Sequence, residues 1–361
     1  MRLHILPLVA VLFAAQAVAC SSTDSPGAGR PEDHGNDGIT GDSPGTEPGP
    51  GAGEPGTTAD GGTATDAGTA APNGFYVDPN SNSANWVKNN GGDSRAAAIQ
   101  SNIASKPGAR WFGNWNKDIG KDVSSFVGAA AAAKKWPILV AYNIPGRDCG
   151  GASSGGAGSA AAFRTWIASF AQAVGNREAI VVIEPDALAQ LDCLPNDGER
   201  QTRLDLMKYA TDQFRDKAPK ARAYVDGGNA KWIAPSTMAQ RLDSAGVRSV
   251  RGFAINVSNF YTTAESTTYG NDVNAALSSQ FGYTTKFAID TSRNGNGSAN
   301  GEWCNPAGRK LGEASKFANG NTDALLWVKV PGDSDGPCGS APNTPAGTFS
   351  PDLASRLING T

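Results

Sequence analysis

Histidine is all but missing. Of 361 residues only His4 and His34 are histidine, and both fall in an N-terminal stretch whose composition does not suit folding. The rest of the chain therefore cannot build a Ser-His-Asp or Cys-His hydrolase, a His-ligated zinc site or a His general base. An excess of positive charge is missing too. Lys+Arg number 31 against 34 Asp+Glu, a net −3, which excludes a protein that works by coating nucleic acid. Beyond the N-terminus no apolar run is long enough to cross a bilayer. Chemistry is left to carboxylates, hydroxyls, amides, Lys, Arg and Tyr, and neither metal nor cofactor is expected.

Residues 1–19 read as a signal peptide, with Arg2 ahead of an apolar run from Ile5 to Ala15 and small residues before Cys20. Cys20 followed by Ser21 and Ser22 suits a lipidated bacterial lipoprotein; the alternative is plain cleavage at an Ala-x-Ala-like site. The expected location is thus secreted or tethered at the cell surface, with Cys20 as the one membrane contact. Residues 20–72 are built of Gly, Pro, Thr, Ala and Asp, with nine acids against Arg30. Such a segment buries too little apolar surface to offset its ordering entropy and is expected to be a disordered spacer. Residues 73–361 then carry about +4, from 29 bases and 25 acids. Cys149, Cys193, Cys304 and Cys338 read as two disulfides in an exported domain, with three pairings open.

From Asn73 on, short apolar runs alternate with Ala-rich helical stretches. Strands are expected at Phe75–Val77, Ala109–Phe112, Pro137–Tyr142, Ala179–Ile183, Arg222–Val225, Arg251–Ile255, Lys286–Ile289 and Ala324–Val330. Helices are expected at Asp93–Ser105, Asp122–Lys135, Ser159–Val174, Glu199–Lys217, Ser236–Ala245 and Thr262–Phe281. This alternation predicts a parallel sheet covered on both faces, and seven or eight units fit a closed (β/α) barrel. Polar residues follow the strands: Asn143 to Asp148, Glu184-Pro185-Asp186, Asp226 to Asn229, Asn256, Asp290 to Asn294, and Lys329 to Asp335. In a barrel all of them share the carboxyl-terminal face, where barrel enzymes place their sites. One such acid is an ordinary helix cap; six strands ending this way point to catalysis.

Several carboxylates without histidine suit glycoside hydrolysis, which needs one acid to protonate the leaving oxygen and one carboxylate to activate water or attack. Flat rings that take sugar faces are available in Trp86, Trp111, Trp115, Trp232 and Trp303. Trp232 and Trp303 stand out, lying in polar loops.

Val140-Ala141-Tyr142-Asn143-Ile144-Pro145-Gly146-Arg147-Asp148-Cys149-Gly150 and the Ser/Gly run after it resemble the first signature of glycoside hydrolase family 6. Val181-Val182-Ile183-Glu184-Pro185-Asp186-Ala187-Leu188-Ala189 resembles the second. Asp290 to Gly297, Glu302-Trp303-Cys304 and Trp327 to Gly332 match further motifs, so the likeness spans Gly74–Thr361. The resemblance implies a distorted, TIM-like (β/α) barrel of about seven parallel strands that hydrolyses β-1,4-glucans with inversion. It implies Asp186 as proton donor, with Asp148 beside it raising its pKa and ordering water. Tyr142 would press the sugar toward a distorted ring, and Ser153 or Ser154 would hold the attacking water. Asp335 is the base it suggests, a water relay to Asp148 being the competing account. It further implies substrate contacts for Trp86, Asp226, Asn229, Trp232, Asn259, Trp303, Lys329 and Asp333, and disulfides Cys149–Cys193 and Cys304–Cys338. Asn229 stands where many relatives carry His, and Asp333 where Glu is more usual.

The short span between Cys304 and Cys338 favours an open cleft and internal cleavage over an exo-acting tunnel. A monomer acting on a β-1,4-glucan or cello-oligosaccharide is expected. A non-catalytic glucan-binding barrel is the alternative of another class, but Asp148 and Asp186 both stand in intact motifs. A metal-dependent esterase would need His ligands that this chain lacks.

Overall fold

The computed structural model describes residues 73–361. The leader, Cys20 and the spacer lie outside the described residues. In chain order the elements are α1 (Asn82–Asn89), α2 (Ala96–Ile99), β1 (Arg110–Phe112), α3 (Ile119–Ala132), β2 (Ile138–Ala141), α4 (Ala160–Val174), β3 (Ala179–Ile183), α5 (Asp197–Lys217), β4 (Ala221–Asp226), α6 (Pro235–Ser244), β5 (Gly252–Ile255), α7 (Thr263–Phe281), β6 (Lys286–Asp290), β7 (Lys316–Phe317), β8 (Thr322–Leu326) and α8 (Pro351–Asn359). The helices start where the sequence supplies caps. Ser159, Asn196 and Thr262 accept the amides of Ala162, Glu199 and Glu265, and Glu265 closes a capping box.

The strands form one curled sheet in the order β1-β2-β3-β4-β5-β6-β8-β7. All neighbours pair in parallel except β7, which runs antiparallel to β8. Seven parallel strands therefore make the distorted barrel that the resemblance implies. Its two ends meet at a seam without a ladder: Ala109 N donates to Trp327 O (2.9 Å) and the Trp111 indole to Val328 O (2.8 Å).

Strand alternation produces two cores. Ile138, Val140, Ile180, Val182, Tyr224, Ala254, Ala288, Ala324 and Leu326 fill the barrel. Leu139, Val181, Ile183, Val225, Phe253, Ile255 and Ile289 face outward onto Phe126, Phe163, Phe170, Phe214 and Leu277 of the helices. Each such large side chain, fully buried, contributes about 1.5–3 kcal/mol. At Gly252 (φ 154°) an added Cβ would stand 1.7 Å from Lys286 O, so only glycine lets β5 close on β6.

The amino-terminal mouth is plugged. Phe75 stacks against Phe317 at 4.7 Å, Trp136 meets Phe317 edge-on at 5.6 Å, and the Arg222 guanidinium covers both Trp136 and Phe317. At a bulge between Thr322 and Ala324, Asp323 accepts from the Tyr224 hydroxyl and from Arg251 Nε and Nη2, both at 2.7 Å.

Several expectations need correction. Phe75–Val77 is no strand but a single bridge from Phe75 to Trp136, because Phe75 turns in to plug the mouth. The helix expected from Asp93 starts at Ala96, since Asp93 takes the amide of Arg95, and it widens into a π-turn at Gln100–Ala104. The last strand stops at Leu326 rather than Val330, because the amides of Val328 and Lys329 go to the Asp290 carboxylate instead of a ladder. Helices α1 and α8 and the two-residue β7 were not anticipated.

Candidate active site

A cleft of about 1070 Å³ lies across the carboxyl-terminal ends of the strands. Three turns carry its acids. After β3 the chain passes through Glu184 (φ 50°) and Asp186 (φ 69°), left-handed conformations that L residues rarely adopt. The Asp186 amide donates to Asp226 Oδ1 (3.0 Å), which also takes the amide of Gly228 (3.0 Å). Asp226 Oδ2 is buried with no partner. Burial pushes Asp226 up to about 7 against the two amide hydrogen bonds. Asp186, facing the cleft, is raised well above the ordinary carboxyl range by burial first, then by the charges of Asp226 and Asp148, against the pull of Lys329.

After β2 the turn Asn143 to Asp148 ends with Asp148 at φ 59°. Asp148 Oδ2 accepts the Ser153 amide at 2.6 Å, while Oδ1 has only a long contact of 3.5 Å from Gln190 Nε2. Arg147 lies over the rings of Tyr142 (4.8 Å) and Trp115 (5.3 Å) and donates to Ser153 O (2.7 Å) and Asn114 Oδ1 (2.9 Å). The serine loop can fold back here because Gly156 (φ 101°) has no Cβ; an added one would stand 1.9 Å from Ile144 O. The Cys149–Cys193 disulfide ties this turn to the segment after the Asp186 turn.

The third turn follows β8. Asp335 pairs with Lys329 Nζ through Oδ1 (3.0 Å) and with Arg293 Nη1 through Oδ2 (2.7 Å), which also accepts the Asn305 amide (3.1 Å). Burial alone would raise Asp335, but the Arg293 and Lys329 charges outweigh it and hold the carboxyl below its usual range. Asp333 has no such partner. Asn82 Nδ2 donates to its Oδ2 (2.9 Å), its Oδ1 is buried and unsatisfied, and burial pushes it up to about 7. Asp290 locks three strand ends together by accepting the amides of Ser258, Ser292, Val328 and Lys329. Cys304–Cys338 closes the outer loops.

The cleft brings together Tyr142, Asp148, Ser153, Ser154, Asp186, Asn229, Trp232, Asn259, Trp303, Lys329, Asp333 and Asp335. Trp115, Trp232 and Trp303 line it with 52, 41 and 50 % of their surface exposed, and Trp111 joins them, edge-on to Tyr142 at 5.2 Å. Two expected substrate contacts are not there. Trp86 packs against Phe349 and beneath Arg95 in the cluster between α1, α2 and α8. Asp226 does not line the cleft; it lies behind Asp186 and accepts its amide. Arg147, Gln190 and Asn82 were missed. Arg147 had a signal, standing next to Asp148 in a long motif; Asn82 had none. Among the described residues no group of three or more His, Cys, Asp and Glu is placed to hold a metal ion.

A family model described as "Glycosyl hydrolases family 6" matches residues 70–361. The chain is similar to Endoglucanase 1 of Streptomyces halstedii, with 49% identity over 289 residues covering 80% of this chain and 89% of that protein. A probable exoglucanase of Podospora anserina is more distant, at 31% over 311 residues, 74% of this chain and 70% of that protein. Among solved structures, endoglucanase Cel6 of Mycobacterium tuberculosis in complex with methyl-cellobiosyl-4-deoxy-4-thio-β-D-cellobioside superposes with a TM-score of 0.74 at 39% identity. That match covers 81% of this chain and 98% of the other.

Proposed function

The chain belongs to glycosyl hydrolase family 6 and is a glycoside hydrolase of the cellulase type; on that premise we propose that it cuts internal β-1,4-glucosidic bonds of cellulose or a related β-glucan with inversion at the anomeric carbon. The observation that carries the proposal is that the cleft holds Asp186, raised by burial and two neighbouring carboxylates, together with Asp148, whose Oδ1 is barely engaged. An inverting enzyme needs one carboxyl to give a proton and one to take it.

Asp186 gives its proton to the glycosidic oxygen as the bond breaks. Water attacks the opposite face of the ring. Both Asp335 oxygens are ion-paired and its basicity is depressed, so it orders charge and water rather than taking a proton. Asp148 is the freer acceptor, with Oδ1 barely engaged and Ser153 and Ser154 beside it on the cleft wall. We assign it the water's proton, through a short relay. As that proton arrives Asp148 becomes neutral while Asp186 becomes an anion, so the pair never carries two charges at close range in the product. Tyr142, buried and pinned between Trp111 and Arg147, is the wedge against the sugar at the bond cut.

Cleavage within the chain is supported by the naming of the nearer relative as an endoglucanase and by exposed tryptophans along an open cleft. Proton NMR of cellohexaose in the first minutes of digestion tests the whole reading. The expected result is α-anomer product released from inside the chain; initial β-anomer would overturn inversion, and steady cellobiose release would overturn the internal mode. The leader and Cys20 support export with a lipid anchor. Incorporation of labelled fatty acid, lost in Cys20→Ser, is the expected outcome, and unchanged labelling would sink the anchor.

A further inference from the structure

Two buried ionisable side chains outside the cleft lie between the catalytic turns. Glu184, 0 % exposed, reaches from the donor turn to the Asp148 turn, where its carboxylate accepts the amides of Asn143 and Ile144, each at 2.8 Å. Arg203 rises from α5, also buried, and spans the same two turns. Its Nη2 donates to Pro145 O (2.8 Å) and Gly146 O (3.3 Å), and its Nη1 to Ala187 O (3.4 Å). Neither residue lines the cleft. Each spends its polar atoms on backbone groups of the turns rather than on the other, and burying ionisable groups in this way is a poor route to stability. Its merit is geometric: charge-assisted hydrogen bonds are short, and a guanidinium fork holds two segments at a set spacing.

We propose that Glu184 and Arg203 are a pair of positioning residues that set the separation of the Asp148 and Asp186 carboxylates. The inference rests on the reading of Asp186 as proton donor. Repulsion between the two carboxylates falls as they move apart, so a loosened clamp leaves Asp186 less protonated. The charged groups facing Asp186 are Asp148 from the β2 turn, Asp226 from β4 and Lys329 from beyond β8. Those facing Glu184 are Arg147 and Arg203.

Arg203 is a cation, whereas burial pushes Glu184 up to about 8 against its amide hydrogen bonds, and this difference separates geometry from charge. If they act through their fields alone, Glu184→Gln removes no charge below about pH 8 and leaves the basic limb of the kcat–pH profile unmoved. Arg203→Met removes a cation and shifts it up. If they act by position, both shift it down, and so does Arg203→Lys, which keeps the charge but loses the fork.

The experiment measures kcat, KM and the pH profile on cellohexaose for Glu184→Gln, Arg203→Lys and Arg203→Met, with thermal melting alongside. The expected result is a basic limb lower by roughly half to one pH unit in Glu184→Gln and Arg203→Lys, a kcat lower by about tenfold or more, and a nearly unchanged KM. An upward shift in Arg203→Met with an unmoved limb in Glu184→Gln and Arg203→Lys overturns the proposal in favour of charge alone. An unmoved limb with a lowered melting temperature overturns it in favour of a purely structural role. Arg203→Lys decides if Arg203→Met does not fold. Full cleavage by Asp186→Asn would remove the donor reading itself, whatever the clamp variants do.

Discussion

The two ends of the barrel bury the same residue type to opposite effect. At the amino-terminal mouth Asp323 is held by Arg251, Arg222 and Tyr224; burial pushes it up, yet these partners outweigh it and the carboxyl stays below its ordinary value. At the carboxyl-terminal end Asp226 and Asp333 each keep one buried oxygen without a partner and are pushed up to about 7. What differs is contact with a cation: Asp323 has it, as does Asp335 at the other end, while Asp226 and Asp333 do not. One end is finished as structure, and the other withholds partners from two of its carboxylates while pairing Asp335 fully, which is how a fold keeps a proton available for transfer.

The sharpest test removes the donor. Asp186→Asn should lower kcat on cellohexaose by about 10²–10⁴ with little change in melting temperature, since its side chain faces the cleft. A melting loss as large as that of a core residue would break the division between the ends. The reverse experiment is Asp323→Asn, which leaves Arg251 without its carboxylate. We expect about 1–3 kcal/mol of stability to go, with kcat retained, read by urea unfolding and cellohexaose assays. Because the folded pKa of Asp323 lies below its unfolded value, its contribution is present above about pH 4 and lost as pH falls through the folded value. Asp323→Asn should therefore flatten the acid side of a melting curve measured against pH.

The smallest effect sharpens the comparison most. Asp226 titrates higher folded than unfolded, so its ionisation weakens the fold as pH rises from about 4 toward 7. Asp226→Asn keeps an oxygen for the amides of Asp186 and Gly228 and removes the charge. It should raise the melting temperature at pH 8 by a few degrees while moving the basic limb of activity to lower pH. A fall in both would show that Asp226 belongs with the structural end.

Much of this was legible in advance where local chemistry repeats. The strands β2 to β6 carry apolar runs too long and β-branched to be loops, and the acids follow them at each end, so both barrel and catalytic face could be read. Asp226 was placed with the substrate contacts because its position at a strand end says nothing of whether Asp186 covers it. Trp86 looked like a sugar platform because a tryptophan on a short amphipathic helix carries no mark of which neighbour it meets; Phe349, far along the chain, decides that. Phe75–Val77 has the composition of a strand, and only the open mouth below Trp136 turns Phe75 inward. Glu184 was visible as an acid beside Asp186, but its acceptor role depends on Asn143 and Ile144 folding back to within 2.8 Å.

The seam between β1 and β8 has a consequence for anyone who would retune this enzyme. Trp111 closes it with its indole N–H while its ring stands in the cleft beside Tyr142. Trp303, half exposed in an outer loop, carries no such second duty. On the proposed reading, grip on the polymer can therefore be adjusted at Trp303 by substitution alone, whereas at Trp111 any change in grip is also a change in how tightly the barrel is shut.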